Sequence, residues 1–297
     1  MSLSIIILAA GEGTRMKSAM PKVLHPLAGR PLLEHVALTA ARLRPASLLV
    51  VYGHGGEQVT AALAHLPVTW VEQAERLGTG HAVAQALPRI PDDHTVVILY
   101  GDVPLVREST VRRMAETVTP DSLALLTVEL GEPTGYGRIV RDTQGRVRRI
   151  VEEKDATPEE RRVTEINTGV LAATAGRLKR WLAAVDNRNV QGEYYLTDVI
   201  AKAAAEGVNI HTVAPRDARE IMGINDKVQL AQAERAFQAE RADALMRAGV
   251  TLQDPARFDV RGTLTAGRDV VIDVGVVIEG EVTLGDGVRV GPYTMIR

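Results

Sequence analysis

The chain has 297 residues, 45% of them apolar and 24% charged, with a formal net charge of −2. That is length enough for two domains with at least one sizeable core, and it offers no electrostatic case for nucleic acid or an anionic membrane as a partner. Cysteine is absent, which excludes disulfides, a thiol nucleophile and cysteine metal sites. Ser2-Leu3-Ser4 puts no basic segment before the first apolar run, and no run approaches the ~20 apolar residues of a membrane-spanning helix. A soluble cytoplasmic protein without membrane insertion is expected.

Ile5 to Ala10 is a continuous apolar run ending at Gly11, the pattern of a strand buried on both faces of a parallel sheet. Pro31 to Leu43 carries Leu32, Val36 and Leu43 at helical spacing. Leu48 to Tyr52 reads as a second strand, Val59 to Leu66 as a helix, and Val68 to Val71 as a third strand. Thr79 to Leu87 reads as a helix, and Thr95 to Tyr100 as a strand that empties into Gly101-Asp102. Strands alternating with helices predict an α/β, Rossmann-like domain with a mostly parallel sheet over 1–225.

Asp226 to Met246 has no Gly or Pro and is rich in helix formers, with Leu230, Phe237 and Ala244 on one face. It predicts a connecting helix within 226–249, ended near Gly249. Val260, Ala266, Ile272, Ile278, Leu284, Val290 and Ile296 then recur every six residues, with Gly267, Gly285 and Gly291 following three of them. That period predicts the first coils of a parallel β-helix over 250–297, favoured over a β-meander with chance spacing. The repeat is still running at Arg297 and no capping repeat is visible, so a longer form is expected.

The turn after the first strand is where an open α/β sheet binds ligands. Gly11-x-Gly13-x-x-Met16 departs from the dinucleotide fingerprint, and Gly11 to Ser18 departs from the P-loop pattern, both at Met16. What remains is a glycine loop with Arg15 and Lys22, and Pro21 stiffening the chain before Lys22. Arg15 offers a fork for phosphate oxygens and Lys22 a mobile point charge; solvated surface cations are the alternative.

Leu8 to Met16 (LAAGEGTRM) followed by Pro21 to His25 (PKVLH) resembles the signature of the sugar-nucleotidyltransferases, or nucleotide sugar pyrophosphorylases. GTGHA at 78–82, YGDVPL at 100–105, GYGRI at 135–139, VEEKDA at 151–156, EINTG at 165–169, QGEYYLTD at 191–198 and GIND at 223–226 follow in order. With the long helix and hexapeptide repeat, the whole chain resembles the bacterial family of bifunctional N-acetylglucosamine-1-phosphate uridyltransferase/glucosamine-1-phosphate acetyltransferases, whose β-helix is left-handed.

The resemblance implies that the sugar phosphate attacks the α-phosphorus of UTP, giving UDP-N-acetylglucosamine and pyrophosphate for cell-wall (peptidoglycan) precursor synthesis. Arg15 and Lys22 are the implied catalytic cations. Leu8, Ala9, Ala10, Gly11, Lys22, Gln73, Gly78 and Thr79 are implied to hold the nucleotide. Tyr100, Gly101, Gly137, Glu152 and Asn167 are implied to hold the sugar. Asp102 and Asn225 are implied to ligate Mg²⁺, and a homotrimer is expected of the full-length form. The acetyltransferase residues of that family lie further along its β-helix, so acetyl transfer is not expected of these residues.

Residue chemistry supports some of this and leaves alternatives. Asp102 past a buried strand points into the crevice, or caps the next turn. The Gln73 amide suits the mixed edge of uracil, or is a surface Gln. Thr79 and Gly80 open a helix, so their N–H groups are expected to be free for a ligand. Glu152 and Asn167 are otherwise a salt-bridging Glu and a turn Asn, and which of Glu152 and Glu153 points inward is not legible. The seven histidines form no spaced metal cluster and there is no G-x-S-x-G elbow. The competing functions are another sugar-nucleotidyltransferase using dTTP or glucose 1-phosphate, a nucleotide-sugar sensor without turnover, and an oligomerisation module.

Overall fold

The computed structural model describes residues 1–53 and 56–297. The Ile-rich run forms β1 (Leu3–Ala9), buried from Ser4 onward. Two single 3-10 turns, Thr14–Met16 and Lys22–Leu24, lead to a short ribbon of β2 (Pro26–Leu27) and β3 (Arg30–Pro31). Then come α1 (Leu32–Arg42), β4 (Ser47–Gly53), α2 (Glu57–Ala62), β5 (Thr69–Gln73), α3 (Thr79–Ala86), β6 (Thr95–Tyr100) and α4 (Glu108–Thr117). The middle of the chain adds β7 (Ser122–Glu129), β8 (Arg138–Arg141), β9 (Val147–Val151), β10 (Glu165–Thr174), α5 (Ala175–Ala183), α6 (Asp198–Ala205) and β11 (Asn209–Val213). The last stretch is α7 (Lys227–Arg247) followed by β12 (Thr251–Leu252), β13 (Asp259–Ala266), β14 (Val271–Ile272), β15 (Val277–Leu284), β16 (Arg289–Val290) and β17 (Met295–Ile296).

The helix expected to reach Leu66 stops at Ala62. Pro67 disfavours helical backbone at Leu66, and the chain closes instead with Leu66 N–H donating to Leu63 O at 3.0 Å.

The chain divides into two compact units, and not by a single cut at residue 225. The first is Met1–Glu12 with Leu33–Ile221; the second is Gly13–Leu32 with Met222–Arg297. In the first unit the sheet order is β11-β7-β10-β6-β1-β4-β5, with β8 on β10 and β9 on β8. β1 is parallel to β4 and β6, β4 to β5, and β11 to β7, so the sheet is mostly parallel as expected. β10 runs antiparallel to β6, β7 and β8, a reversal that apolar patterning does not encode. Ile6 and Leu8 of β1 join Val83 and Ala86 of α3, Trp181 of α5 and Val199 and Ile200 of α6 in one apolar cluster. Ile5 and Ile7, on the alternate face of the strand, are also fully buried. Burial on both faces is why that run carries no polar alternation.

In the second unit, Asp226 caps α7 by accepting from Gln229 N at 2.8 Å, and the helix ends at Arg247, two residues before Gly249. The face that Leu230, Phe237 and Ala244 share is not the buried one: Ala233, Gln238 and Ala242 are buried, and Ala244 is exposed. The reason is the Gln238 amide, which accepts from Val260 N at 2.9 Å and donates to Val260 O at 3.1 Å. It pairs with Val260 as a strand neighbour would, so this face of the helix turns inward. Val260 is in register with Ile278 and Ile278 with Ile296; Leu252 pairs with Ile272 and Ile272 with Val290. The steps Val260–Ile278, Ile278–Ile296 and Ile272–Val290 are each eighteen residues, three hexapeptides, the stacking that successive β-helix coils require, while the entry step Leu252–Ile272 is twenty. Val260, Ile272, Ile278, Leu284 and Val290 are buried together with Phe258. Residues 13–32 belong to this unit through polar contacts: Ala28 N–H donates to Glu234 at 2.7 Å, and Lys227 Nζ lies 3.0 Å from His25 Nδ1. Among the described residues, no helix is long and apolar enough to cross a membrane.

Candidate active site

In the first unit, β6, β1, β4 and β5 are consecutive parallel strands, and three of them end at residues singled out in the sequence. Leu8 to Gly11 leave β1, Gln73 closes β5, and Tyr100 to Asp102 leave β6. Gly101 N–H donates to Leu8 O at 2.9 Å and ties two of these exits together. Asp102 lies partly buried inside the turn closed by Val103 N–H to Tyr100 O at 3.1 Å.

Gln73 is 3% exposed, which removes the surface-Gln alternative. Its amide NH₂ donates to Gly78 O at 3.0 Å and faces His81 Nδ1 at 3.1 Å. Its Oε1 takes no protein donor among the described residues. Gly78 has φ +107, and a Cβ there would stand 2.7 Å from Tyr194 O, so only glycine fits. The segment at Tyr194 runs along this turn: Tyr194 N–H donates to Leu77 O and Gly80 N–H donates to Tyr194 O, both at 2.8 Å. This corrects one expectation. The Gly80 N–H at the start of α3 is not free for a ligand, because the chain itself supplies the acceptor. Thr79 Oγ1 likewise accepts from Leu196 N at 3.1 Å.

The second group lies around β8, β9 and β10. Glu152 Oε1 accepts from Thr197 Oγ1 at 3.0 Å, and Glu152 Oε2 would lie 3.3 Å from a Cβ built on Gly137. Burial raises the Glu152 carboxyl; the Thr197 hydroxyl opposes this, and the charges of Asp198 and Asp155 add to it. Glu153 turns away and pairs with Arg138 at 2.6 Å. Asn167 is 9% exposed; its N–H donates to Gly137 O at 2.8 Å and its Oδ1 accepts from Gly169 N at 3.0 Å. The turn role read for Asn167 therefore holds for its oxygen. Burial raises the Tyr100 hydroxyl, with the Glu152 and Asp102 charges adding to it. Sequence reasoning assigned no role to Thr197 or Tyr194; the only signal was the QGEYYLTD run.

The cations lie in the second unit. Gly13 has φ +64, and a Cβ there would stand 2.5 Å from Lys22 Cβ. The loop can therefore fold Lys22 against its own start only with glycine at 13. Arg15 sits exposed in the turn Thr14–Met16, and Met16, which broke both glycine patterns, is its buried anchor at 1% exposure. Lys22 Nζ donates to Asn225 Oδ1 at 3.3 Å, which brings two predicted residues together. Among the described residues no group of three or more His, Cys, Asp or Glu is placed to hold a metal, and His54 lies outside them. The Asp102 carboxylate of the first unit and the Asn225 amide oxygen of the second are each, taken singly, the hard oxygen donor type that Mg²⁺ takes. Asn225 Oδ1 already faces a cation in Lys22.

Comparison with known proteins places the chain in a family. The chain is 58% identical over 298 residues to the bifunctional protein GlmU of Methylococcus capsulatus, covering 100% of this chain and 65% of that protein. It is 57% identical over 296 residues to the bifunctional protein GlmU of Alkalilimnicola ehrlichii, of which it covers 64%. The chain thus spans somewhat less than two thirds of these relatives. Among solved structures, a UDP-glucose pyrophosphorylase complexed with UDP-glucose shares the fold with a TM-score of 0.64 at 16% identity, covering 81% of this chain and 100% of that one. Residues 5–165, more than half of the chain, match the MobA-like NTP transferase domain, and the chain belongs to that family.

Proposed function

We propose that the chain transfers a uridylyl group from UTP to N-acetylglucosamine 1-phosphate, giving UDP-N-acetylglucosamine and pyrophosphate. The observation that carries the nucleotide half is Gln73, whose NH₂ is spent on Gly78 and His81 while Oε1 is left as an acceptor. Uracil presents an N3–H donor to such an acceptor; cytosine presents a lone pair there. The sugar half rests on Gly137, Glu152 and Asn167, which share hydrogen bonds or close approach. A carboxylate beside a backbone N–H suits the hydroxyls of a pyranose, and the Asn167 NH₂ suits the acetamido carbonyl.

In this reading a phosphate oxygen of the sugar phosphate forms a bond to the α-phosphorus of UTP as the bond to pyrophosphate breaks. The protein positions the reactants and offsets charge, and no covalent nucleophile is required. Leu8 to Gly11, Gln73, Gly78 and Thr79 hold the uridine; Tyr100 and Gly101 help to seat the sugar. Arg15 stabilises charge that develops on the departing pyrophosphate, and Lys22 contacts phosphate oxygens. Asp102 and Asn225 would hold Mg²⁺, which when bound supplies charge neutralisation at the phosphates. Supply of cell-wall precursors and assembly as a homotrimer of a longer form belong to the same proposal. Incubation with UTP labelled at its α-phosphorus tests the reading. The label is expected in UDP-N-acetylglucosamine; label confined to UTP, or found in UMP, contradicts it.

A further inference from the structure

We infer that the ion pair between the buried Arg138 and the partly exposed Glu153 is a positioning device that sets the sugar-facing backbone of Gly137 against Glu152; the inference rests on the function proposed above. Arg138 is 1% exposed and opens β8, in register with Val151 of β9 and Ile166 of β10. One end of its guanidinium meets Glu153 Oε2 at 2.6 Å, and Nη1 donates to Tyr136 O. The same Glu153 oxygen accepts from Gly135 N at 3.3 Å. The turn 135–137 is therefore held from both sides, by the guanidinium on its carbonyl and by the carboxylate on its N–H. Three of the five residues assigned to the sugar, Gly137, Glu152 and Asn167, are one step from this clamp. Gly137 precedes Arg138, Glu152 precedes Glu153, and Asn167 donates its N–H to Gly137 O at 2.8 Å.

Stability alone does not account for a guanidinium here. Arg138 Nε is buried without a hydrogen-bond partner, an arrangement that costs folding free energy. A buried ion pair replaced by apolar groups of similar volume is often neutral or stabilising. What an apolar pair cannot do is hold the Tyr136 carbonyl and the Gly135 N–H at set positions. Arg138–Glu153 does so on the strand that presents Gly137, where a shift of about 1 Å would move the backbone off the sugar.

The test compares Glu153→Gln, which leaves Arg138 buried without its counter-ion, with the double variant Arg138→Met/Glu153→Gln, which removes both charges. Thermal midpoints and KM values for N-acetylglucosamine 1-phosphate and for UTP are measured on wild type and both variants. Glu153→Gln is expected to lower the midpoint, and the double variant to recover it. In both variants the sugar-phosphate KM is expected to rise about ten-fold, the worth of roughly one hydrogen bond, with KM for UTP changed less than about two-fold. A sugar-phosphate KM that recovers together with the midpoint would make the pair a structural element only and overturn the inference, as would equal changes in both KM values. Wild-type protein that turns over neither substrate would remove the proposed function itself, and the inference with it.

Discussion

Gln73→Met keeps the length of the side chain and removes both polar atoms. The fold should tolerate it, because the Gly78 carbonyl that loses the Gln73 donor at 3.0 Å keeps the Ala82 N–H at 3.1 Å. The loss then falls on the ligand. The amide is 3% exposed and held by two partners, so its acceptor is pre-organised in a desolvated place. Leaving the uracil N3–H unpaired there costs about 1–3 kcal/mol, roughly 5- to 150-fold in kcat/KM for UTP. CTP, whose N3 lone pair meets the Oε1 lone pair in wild type, should gain or stay level. Pyrophosphate release at matched UTP and CTP concentrations reads this as a collapse of the UTP/CTP preference. A preference unchanged within about two-fold would refute the assignment of Gln73 to the base.

Arg15→Ala should lower kcat by roughly 100-fold or more with the denaturation midpoint unchanged, since the side chain is exposed; unchanged turnover would remove Arg15 from the catalytic role. Gly13→Ala adds a Cβ 2.5 Å from Lys22 Cβ at φ +64 and should cost turnover about ten-fold or more, read by steady-state kinetics. Gln238→Leu leaves the Val260 N–H without its helix partner, while the Val260 carbonyl keeps Arg241 Nη1 at 3.1 Å, and should destabilise by about 1–3 kcal/mol, read as a urea midpoint shift. The Glu152 carboxyl is raised in the folded state, chiefly by burial. The folded protein thus holds that proton to higher pH than the unfolded chain, and stability falls as pH rises from the ordinary carboxylate range through the raised value. Glu152→Gln should therefore gain stability over wild type at pH about 8 and lose that gain near pH about 4. An equal difference at both pH values would contradict this origin.

Much of the architecture was legible because single residue types carried it. The run Ile5–Ile7 could only be a strand covered on both faces, and it is fully buried. The six-residue aliphatic period became the Val260–Ile278–Ile296 stack, since each coil must repeat the side chain that fills it. The antiparallel course of β10 was not legible, because an apolar strand reads the same in either direction. At the site, the glycine loop, Arg15 and Lys22 were visible as a local pattern. The Gly80 N–H was misjudged because its partner, Tyr194 O, arrives from a distant part of the chain. Glu152 and Glu153 were likewise indistinguishable until Thr197 and Arg138 were seen to claim one each. The buried face of α7 was missed because hydrophobic spacing does not register a buried Gln that pairs with backbone.

The most direct measurement is pyrophosphate release from UTP and Mg²⁺ with N-acetylglucosamine 1-phosphate in one reaction and glucose 1-phosphate in another. Release that is strong with the N-acetylated sugar and weak with glucose 1-phosphate is the predicted result. Preference for glucose 1-phosphate, or no release with either sugar while UTP still binds, would contradict the account.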